Sequence, residues 1–131
     1  TFNIASSHSR KEVEMIAMKA IMDNEKKLGY MPEDVSEQKI GYDVLSFDPS
    51  TQKHRFIEVK GRSDESSTIT VTRNEIITAL NKPEDYILAI VMVHNAKVKD
   101  VKYIKKPFEV EPSFDTVSIN FNLSQLISKE M

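Results

Sequence analysis

Two apolar runs joined by a strong turn signal lie between Gly41 and Gly61, and they constrain the fold more than any other segment. The first run, 42–47, has apolar side chains on both faces, as a largely covered strand does. The turn sequence Asp48-Pro49-Ser50-Thr51 precedes a second strand-like run, 55–59. The segment therefore predicts a β-hairpin. Its charged residues need a partner or a metal ion, because a charge on a half-buried sheet surface costs free energy.

Three of these charged residues are expected to meet on one patch. Glu58 and Lys60 project from the same face of the second strand, because strand residues two apart share a face at a spacing of about 6–7 Å. In one allowed register, Asp43 lies beside them on the first strand. Two carboxylates in a partly dry site repel each other, and a divalent cation between them removes this conflict. Mg²⁺ suits such a site because it binds a few carboxylate oxygens and retains several waters.

The chemistry that this patch favours is metal-assisted hydrolysis of a phosphodiester bond. Lys60 would orient the attacking water or stabilise the charge that develops in the transition state. Glu14 lies at the flank of the apolar stripe of a predicted first helix, from which it can supply a further ligand. The alternative for these side chains is a cross-strand salt bridge on a solvated sheet face.

The triplet of an acid, any residue and Lys is a weak signal by itself. It occurs at Glu25/Lys27, Glu37/Lys39, Glu58/Lys60 and Asp100/Lys102. The first copy lies in the polar tail of a predicted helix, and the second lies in a polar connector. Asp100/Lys102 is strand-like, but no acid-bearing apolar strand joined by a turn precedes it. Only Glu58/Lys60 has that context.

The first predicted helix lies N-terminal to the hairpin. Apolar residues recur at helical spacing from Arg10 to Leu28. Ser9 and Glu12 are expected to form a capping box at its start, and Gly29 is expected to end it.

Further elements are predicted on both sides of the hairpin. Thr72 and Glu75 match a second capping box, and this role is favoured for Glu75 over a catalytic one. The other expected elements are a weak strand at 35–40, strands at 68–71, 86–93, 101–104 and 117–121, a helix at 72–81 and a short helix at 123–129. This order predicts a mixed sheet flanked by helices.

The size and composition of the chain favour one globular domain. It has 131 residues, 40% of them hydrophobic, which is enough for one packed core. Because the first residue is Thr, we expect a piece of a longer polypeptide. The chain has no cysteine, and its longest apolar run, 87–93, is far shorter than the roughly 20 residues that span a bilayer. A cytoplasmic location is expected, or a nuclear one in a eukaryote, with no membrane partner.

The residues of the patch and their surroundings resemble a known superfamily. The chain resembles PD-(D/E)xK, or restriction-endonuclease-like, nucleases in four features. These are Gly41-Tyr42-Asp43 on one strand, Glu58-Val59-Lys60-Gly61 on the next, an acid on the preceding helix, and the strand-to-helix segment 69–75 before "YILAIVMV". Tyr42 stands where the superfamily name has Pro. More narrowly, the chain resembles the domain at the C-terminus of plant NO VEIN proteins, which is also appended to helicase-type ATPases in bacteria and archaea. The resemblance covers about Lys11 to Val93.

This resemblance implies both a fold and a function. The implied fold is a single α/β domain, 1–131. Its restriction-endonuclease-like α-β-β-β-α-β core, at about 10–93, has a four-stranded mixed sheet flanked by helices. Peripheral strands and a short helix occupy 94–131. The implied function is DNA cleavage with Mg²⁺ or Mn²⁺, as an accessory module of a larger helicase-type or DNA-processing protein. Asp43 and Glu58 are the implied metal ligands, Lys60 the catalytic amine and Glu14 the helix acid.

The charge of the chain bears on its partners. A net charge of −2 does not favour binding of nucleic acid through bulk charge. Local contacts are expected instead from Arg62 and from Arg73 and Asn74 at the strand-to-helix corner. The five lysines between 97 and 106 are interpreted as a solvated edge rather than as a strip that faces phosphates.

Two alternative functions stay open. The first is a catalytically inactive module of the same fold that binds nucleic acid or assembles with proteins, which the slightly acidic net charge favours. The second is hydrolysis of RNA or of a nucleotide by the same metal chemistry.

Overall fold

The computed structural model describes residues 2–63 and 65–130, with side chains from Arg10 onward. The elements of these residues are α1 (Phe2–Lys27), β1 (Met31–Asp34), β2 (Val44–Asp48), β3 (Lys53–Ser63), β4 (Thr68–Thr72), α2 (Arg73–Asn81), β5 (Tyr86–His94), β6 (Lys97–Lys105), β7 (Ser118–Asn122) and α3 (Leu123–Ile127). Five strands form one sheet in the order β1-β2-β3-β5-β6, with β3 and β5 parallel. The predicted mixed sheet flanked by helices is confirmed. Within the described residues, no helix is long and apolar enough to cross a membrane.

The central hairpin is formed by β2 and β3. The two strands pair antiparallel with Val44 opposite Ile57, and the backbone N–H of Asp43 donates to the carbonyl of Ile57 at 2.8 Å. At the turn, the Asp48 carboxylate accepts from the N–H of Ser50 at 2.9 Å, which closes the expected Asp-Pro-Ser-Thr turn. This register aligns Asp43 with the segment of β3 that carries Glu58.

Helix α1 packs on one face of the sheet through Ala17 and Ile21, which are fully buried. Gly61 on β3 allows this close packing. A Cβ atom at position 61 would lie 2.8 Å from the Cβ of Ala17 and 2.9 Å from the carbonyl of Val13, closer than real Cβ contacts. The absence of a side chain at 61 therefore sets how near α1, with Glu14, lies to the hairpin.

We expect Gly61→Val to destabilise the fold by about 1–3 kcal/mol, because the added side chain must push α1 away from β3. Urea unfolding followed by circular dichroism measures the change. Lys53→Val is the control, since Lys53 lies at the exposed start of the same strand. Equal unfolding midpoints for the two variants would contradict the close packing of α1 on Gly61.

The other face of the sheet is covered by a second layer. This layer consists of α2, α3 and a separate antiparallel pair made of β4 and β7. Residues 94–130 contribute to its core, since Ile104, Phe108, Leu123 and Leu126 are buried there. The sheet is therefore enclosed between α1 and this second layer.

Helix α1 differs from its prediction at its start and agrees at its end. It begins at Phe2, so Ser9 lies within the helix and the predicted capping box does not start it. The expected stop at Gly29 is confirmed, because Gly29 has φ +92° and Tyr30 donates its N–H to the carbonyl of Glu25 at 3.0 Å. This pairing of the last carbonyls with residues beyond a left-handed glycine is a common helix ending.

The predicted weak strand at 35–40 is wrong. Strand β1 ends at Asp34, and Ser36–Gln38 form a 3₁₀ turn. The Asp34 carboxylate accepts from the N–H of Ser36 at 2.9 Å, and Lys39 has a left-handed backbone with φ 53°. A local Asp–Ser turn thus competes successfully with extended backbone in this polar segment.

The predicted strand at 68–71 exists but lies outside the main sheet. Parallel β5 occupies the position beside β3, and β4 pairs with β7 instead. Ile69 and Val71 face the core of the second layer, while Thr68, Thr70 and Thr72 are exposed. The main sheet therefore has five strands rather than the four that the resemblance implied.

Candidate active site

The fold brings Asp43, Glu58 and Lys60 together in one cleft of about 360 Å³. Lys60 Nζ lies 3.3 Å from Glu58 Oε2. Asp43 Oδ2 accepts the backbone N–H of Val59 at 2.9 Å, and the negative charge of Asp43 acts on the carboxyl group of Glu58. The hairpin register produces this convergence, because Asp43 ends the loop before β2 while Glu58 and Lys60 share a face of β3.

Burial dominates the electrostatics of the two carboxyl groups. Glu58 is only 4% exposed. Burial raises the pKa of Glu58 well above its ordinary value, and the negative charge of Asp43 raises it further, while Lys60 acts in the opposite direction. Burial also raises the pKa of Asp43, although the N–H of Val59 opposes this effect. The pair therefore holds a proton more readily than two exposed acids do.

Lys60 remains a cation in this environment. Burial lowers the pKa of Lys60, but the charges of Glu58 and Glu75 outweigh burial and raise it above its ordinary value. Its Nζ donates to Glu75 Oε1 at 3.1 Å. Lys60 is thus a charged donor held between two carboxylates.

Glu75 is a residue of this site to which the sequence pattern assigned only a capping role. The predicted capping box is present, because Thr72 Oγ1 accepts the N–H of Glu75 at 3.1 Å and Glu75 Oε1 accepts the N–H of Thr72 at 3.0 Å. The same Oε1 atom accepts from Lys60. The cap therefore fixes the carboxylate that holds the lysine. The capping box was the one sequence signal for its position, and it gave no sign of the contact with β3.

Glu14 lines the same cleft from α1, where its side chain is exposed. Among the residues that the structure describes, no three His, Cys, Asp or Glu side chains are arranged together to hold a metal ion. The predicted role of Glu14 as a metal ligand therefore stays a prediction. Asp43 and Glu58 are the two carboxyl groups that converge with Lys60 in this cleft.

A second cleft of about 250 Å³ continues from the first. The two clefts share Ser36, Asp43 and Glu58. The second is lined by residues of the 36–43 segment and of the start of α2, namely Lys39, Gly41, Tyr42, Thr72, Asn74 and Glu75. The two acids thus lie in a groove, with one arm towards α1 and the other towards α2. Such a groove suits an extended ligand rather than a compact one.

The three predicted nucleic-acid contacts lie in different places. Arg62 lines the α1 arm, where its guanidinium donates to the carbonyls of Gly61 and Thr68. Asn74 lines the α2 arm. Arg73 lines neither arm and instead faces the segment after β6.

The five lysines between 97 and 106 lie on and just beyond β6, the edge strand, which β5 separates from β3. Lys102 pairs with Asp100 and Glu130, each at 3.3 Å, and Lys106 pairs with Glu84 at 3.2 Å. These pairs agree with a solvated edge. Lysines on an edge strand also hinder pairing with another chain.

One comparison with known proteins bears on this site. The family model described as "Protein NO VEIN, C-terminal" matches residues 13–104, a span that includes Glu14 and the three converging residues. The predicted resemblance at that level is confirmed. No curated protein matches the chain significantly.

Proposed function

This chain belongs to the NO VEIN C-terminal family, and on that premise we propose that it is a metal-dependent nuclease domain that hydrolyses phosphodiester bonds of DNA. The observation that carries the proposal is the convergence of buried Glu58 with Asp43 and Lys60 in an open groove. Carboxyl groups of raised pKa beside a charged lysine in a cleft are a recurring feature of functional sites. The PD-(D/E)xK resemblance supports the same chemistry.

The donor set fits Mg²⁺ or Mn²⁺. Asp43 and Glu58 supply carboxylate oxygens, and the open cleft beside them leaves room for waters and a phosphate oxygen. Glu14 lines the wall of the same cleft and would hold an outer water. When bound, the cation supplies Lewis-acid polarisation of the phosphate and acidifies a water.

The chain's own residues supply positioning and charge. Lys60 donates its amine protons towards the attacking water or the phosphate oxygens, where negative charge increases in the transition state. Glu75 fixes the amine from the capped end of α2, so little rearrangement is needed on substrate binding. We infer that this module acts within a larger DNA-processing protein, appended to a helicase-type ATPase.

The direct test is cleavage of circular DNA by the purified chain. We expect wild-type protein with Mn²⁺ to nick supercoiled plasmid or degrade circular single strands, and we expect Glu58→Gln not to do so. If wild-type protein leaves both DNA forms intact at all Mn²⁺ concentrations, the proposal fails. RNA of the same sequence distinguishes DNA cleavage from the RNA alternative.

Mn²⁺ binding is expected to depend on Asp43 and on pH. Because the pKa of Glu58 is raised, the metal-free site holds a proton at pH values where an exposed Glu has lost it, and the cation must displace that proton. Affinity should therefore increase as pH rises through the raised pKa, with proton release on binding. Isothermal titration calorimetry in two buffers of different ionisation enthalpy measures both, and Asp43→Asn should abolish binding.

A non-catalytic module of the same fold is the second candidate. It is favoured by the net charge of −2 and by the engagement of Lys60 with two carboxylates. In that case the cluster is a structural ion-pair network. Absence of any Mn²⁺ binding together with retained binding of nucleic acid would support this candidate over the nuclease.

A further inference from the structure

An exposed aromatic ring lies next to the start of α2. Phe114 is 94% exposed, in the segment between β6 and β7. The guanidinium carbon of Arg73 lies 5.9 Å from the centre of its ring. Such a ring contributes little to the core. Single exposed apolar residues are common on protein surfaces, but an exposed ring beside a cation offers a face for stacking.

The turn that carries Phe114 is held in place by hydrogen bonds. Within it, Thr116 donates its N–H to the carbonyl of Ser113 at 3.0 Å, and the hydroxyls of the two residues lie 2.6 Å apart. The turn is also fixed to α2, because Arg73 donates its backbone N–H to the carbonyl of Val117 at 2.9 Å. Phe114 is thus presented at the tip of a defined turn.

This turn is hydrogen-bonded to Arg73, the residue that precedes the α2 arm of the groove in the chain. The residue after Arg73 is Asn74, which lines the α2 arm, and Glu75 holds Lys60. For a strand in the α2 arm to contact Arg73 and Phe114, it must extend past Asn74, because neither side chain lines the arm itself. Among the described residues that line the two arms, acids outnumber cations by four to three, so affinity for a polyanion needs a contribution other than charge.

We propose that Phe114 and Arg73 form a stacking platform for an unpaired base of single-stranded DNA whose backbone occupies the groove, a proposal that rests on the proposed function. Aromatic faces bind bases of any sequence by stacking, and a neighbouring guanidinium adds attraction to the base or the phosphate. In a duplex the faces of the bases are covered by their neighbours, so the platform selects unpaired strands.

The chain has no Trp, so Phe114→Trp introduces a single fluorescent reporter at the platform. In a Glu58→Gln background with Mn²⁺, in which we expect no cleavage, an oligothymidylate of about 12 nucleotides should quench this reporter by stacking. Val110→Trp is the matched control, because Val110 is 78% exposed in the same segment. We expect a duplex of equal length to quench the platform reporter less than the single strand does. Quenching by the duplex alone, or equal quenching at the two positions, would overturn the proposal.

Affinity gives an independent measurement without a new aromatic ring. By fluorescence anisotropy with a labelled oligonucleotide, we expect Phe114→Ala to weaken binding about tenfold and Val110→Ala to leave it unchanged. Unchanged binding by Phe114→Ala would overturn the platform. Cleavage by wild-type protein without quenching would refute the platform and leave the nuclease function standing. Quenching of the reporter without cleavage by wild-type protein would support the platform and refute the nuclease function.

Discussion

Replacement of Lys60 by alanine is expected to reduce Mn²⁺-dependent DNA cleavage by at least about 100-fold. The amine is the cationic donor beside the two acids, and it is fixed by Glu58 at 3.3 Å and by Glu75 at 3.1 Å. Its loss removes stabilisation of the transition state without removing the oxygen donors for the cation. Single-turnover cleavage at saturating Mn²⁺ isolates this effect, and the affinity for Mn²⁺ should be equal or higher because a nearby positive charge is gone.

Lys102→Ala is the matched control for this experiment. Lys102 occurs in the same acid-x-Lys pattern and also bridges two acids, Asp100 and Glu130, but it lies on the edge strand β6 away from the groove. Its removal should leave cleavage unchanged. Equal activity of Lys60→Ala and wild type would exclude catalysis by this site, provided that circular dichroism shows both proteins folded.

The convergence of the candidate site follows from local patterns, which is why the sequence can predict it. A two-residue period along a strand places Glu58 and Lys60 on one face, and a turn of defined length brings Asp43 to the same level. Both features depend on residues close together in the chain. The capping box at Thr72 and Glu75 and the glycine ending of α1 are likewise local, and the structure contains both.

Features that depend on distant contacts were not predictable from such patterns. The partner of β4 is β7, which lies about 50 residues further along the chain, and no local pattern specifies that pairing. The contact of Glu75 with Lys60 requires the whole path from β3 through β4 to α2. Glu25 is the clearest case. The sequence places it in the polar tail of a helix, where charged side chains are usually exposed, but its side chain is fully buried.

A second buried ion pair explains the burial of Glu25. Arg55 on β3 forms a bidentate ion pair with Glu25, in which Nε donates to Oε1 at 2.8 Å and Nη2 donates to Oε2 at 3.1 Å. The guanidinium carbon lies 4.6 Å from the ring centre of Tyr30 and 5.8 Å from that of Tyr103. Asn24 donates to the hydroxyl of Tyr103 at 2.6 Å. This network joins α1 to the sheet at the end remote from the groove.

The variant Arg55→Met is expected to destabilise the chain by about 3–5 kcal/mol, which corresponds to a fall in Tm of roughly 10 °C or more. The reason is that the carboxylate of Glu25, which is fully buried, would lose both hydrogen bonds from Arg55 and remain buried without a cation beside it. Urea unfolding at neutral pH measures the loss. Adding Glu25→Gln to Arg55→Met removes the uncompensated buried charge of Glu25, so the double variant should be more stable than Arg55→Met alone.

The exposed pair of Lys19 and Asp23 on the same helix provides the comparison. Its Nζ–Oδ2 distance of 2.8 Å is as short as that of the buried pair, but the side chains are 78% and 48% exposed. Lys19→Met should therefore barely change the unfolding midpoint, because solvent screens the pair and rehydrates the remaining carboxylate. If Lys19→Met and Arg55→Met had equal effects, burial would not determine the contribution of these ion pairs. If instead the double variant proved less stable than Arg55→Met alone, an uncompensated Glu25 carboxylate would not be the cause of the destabilisation.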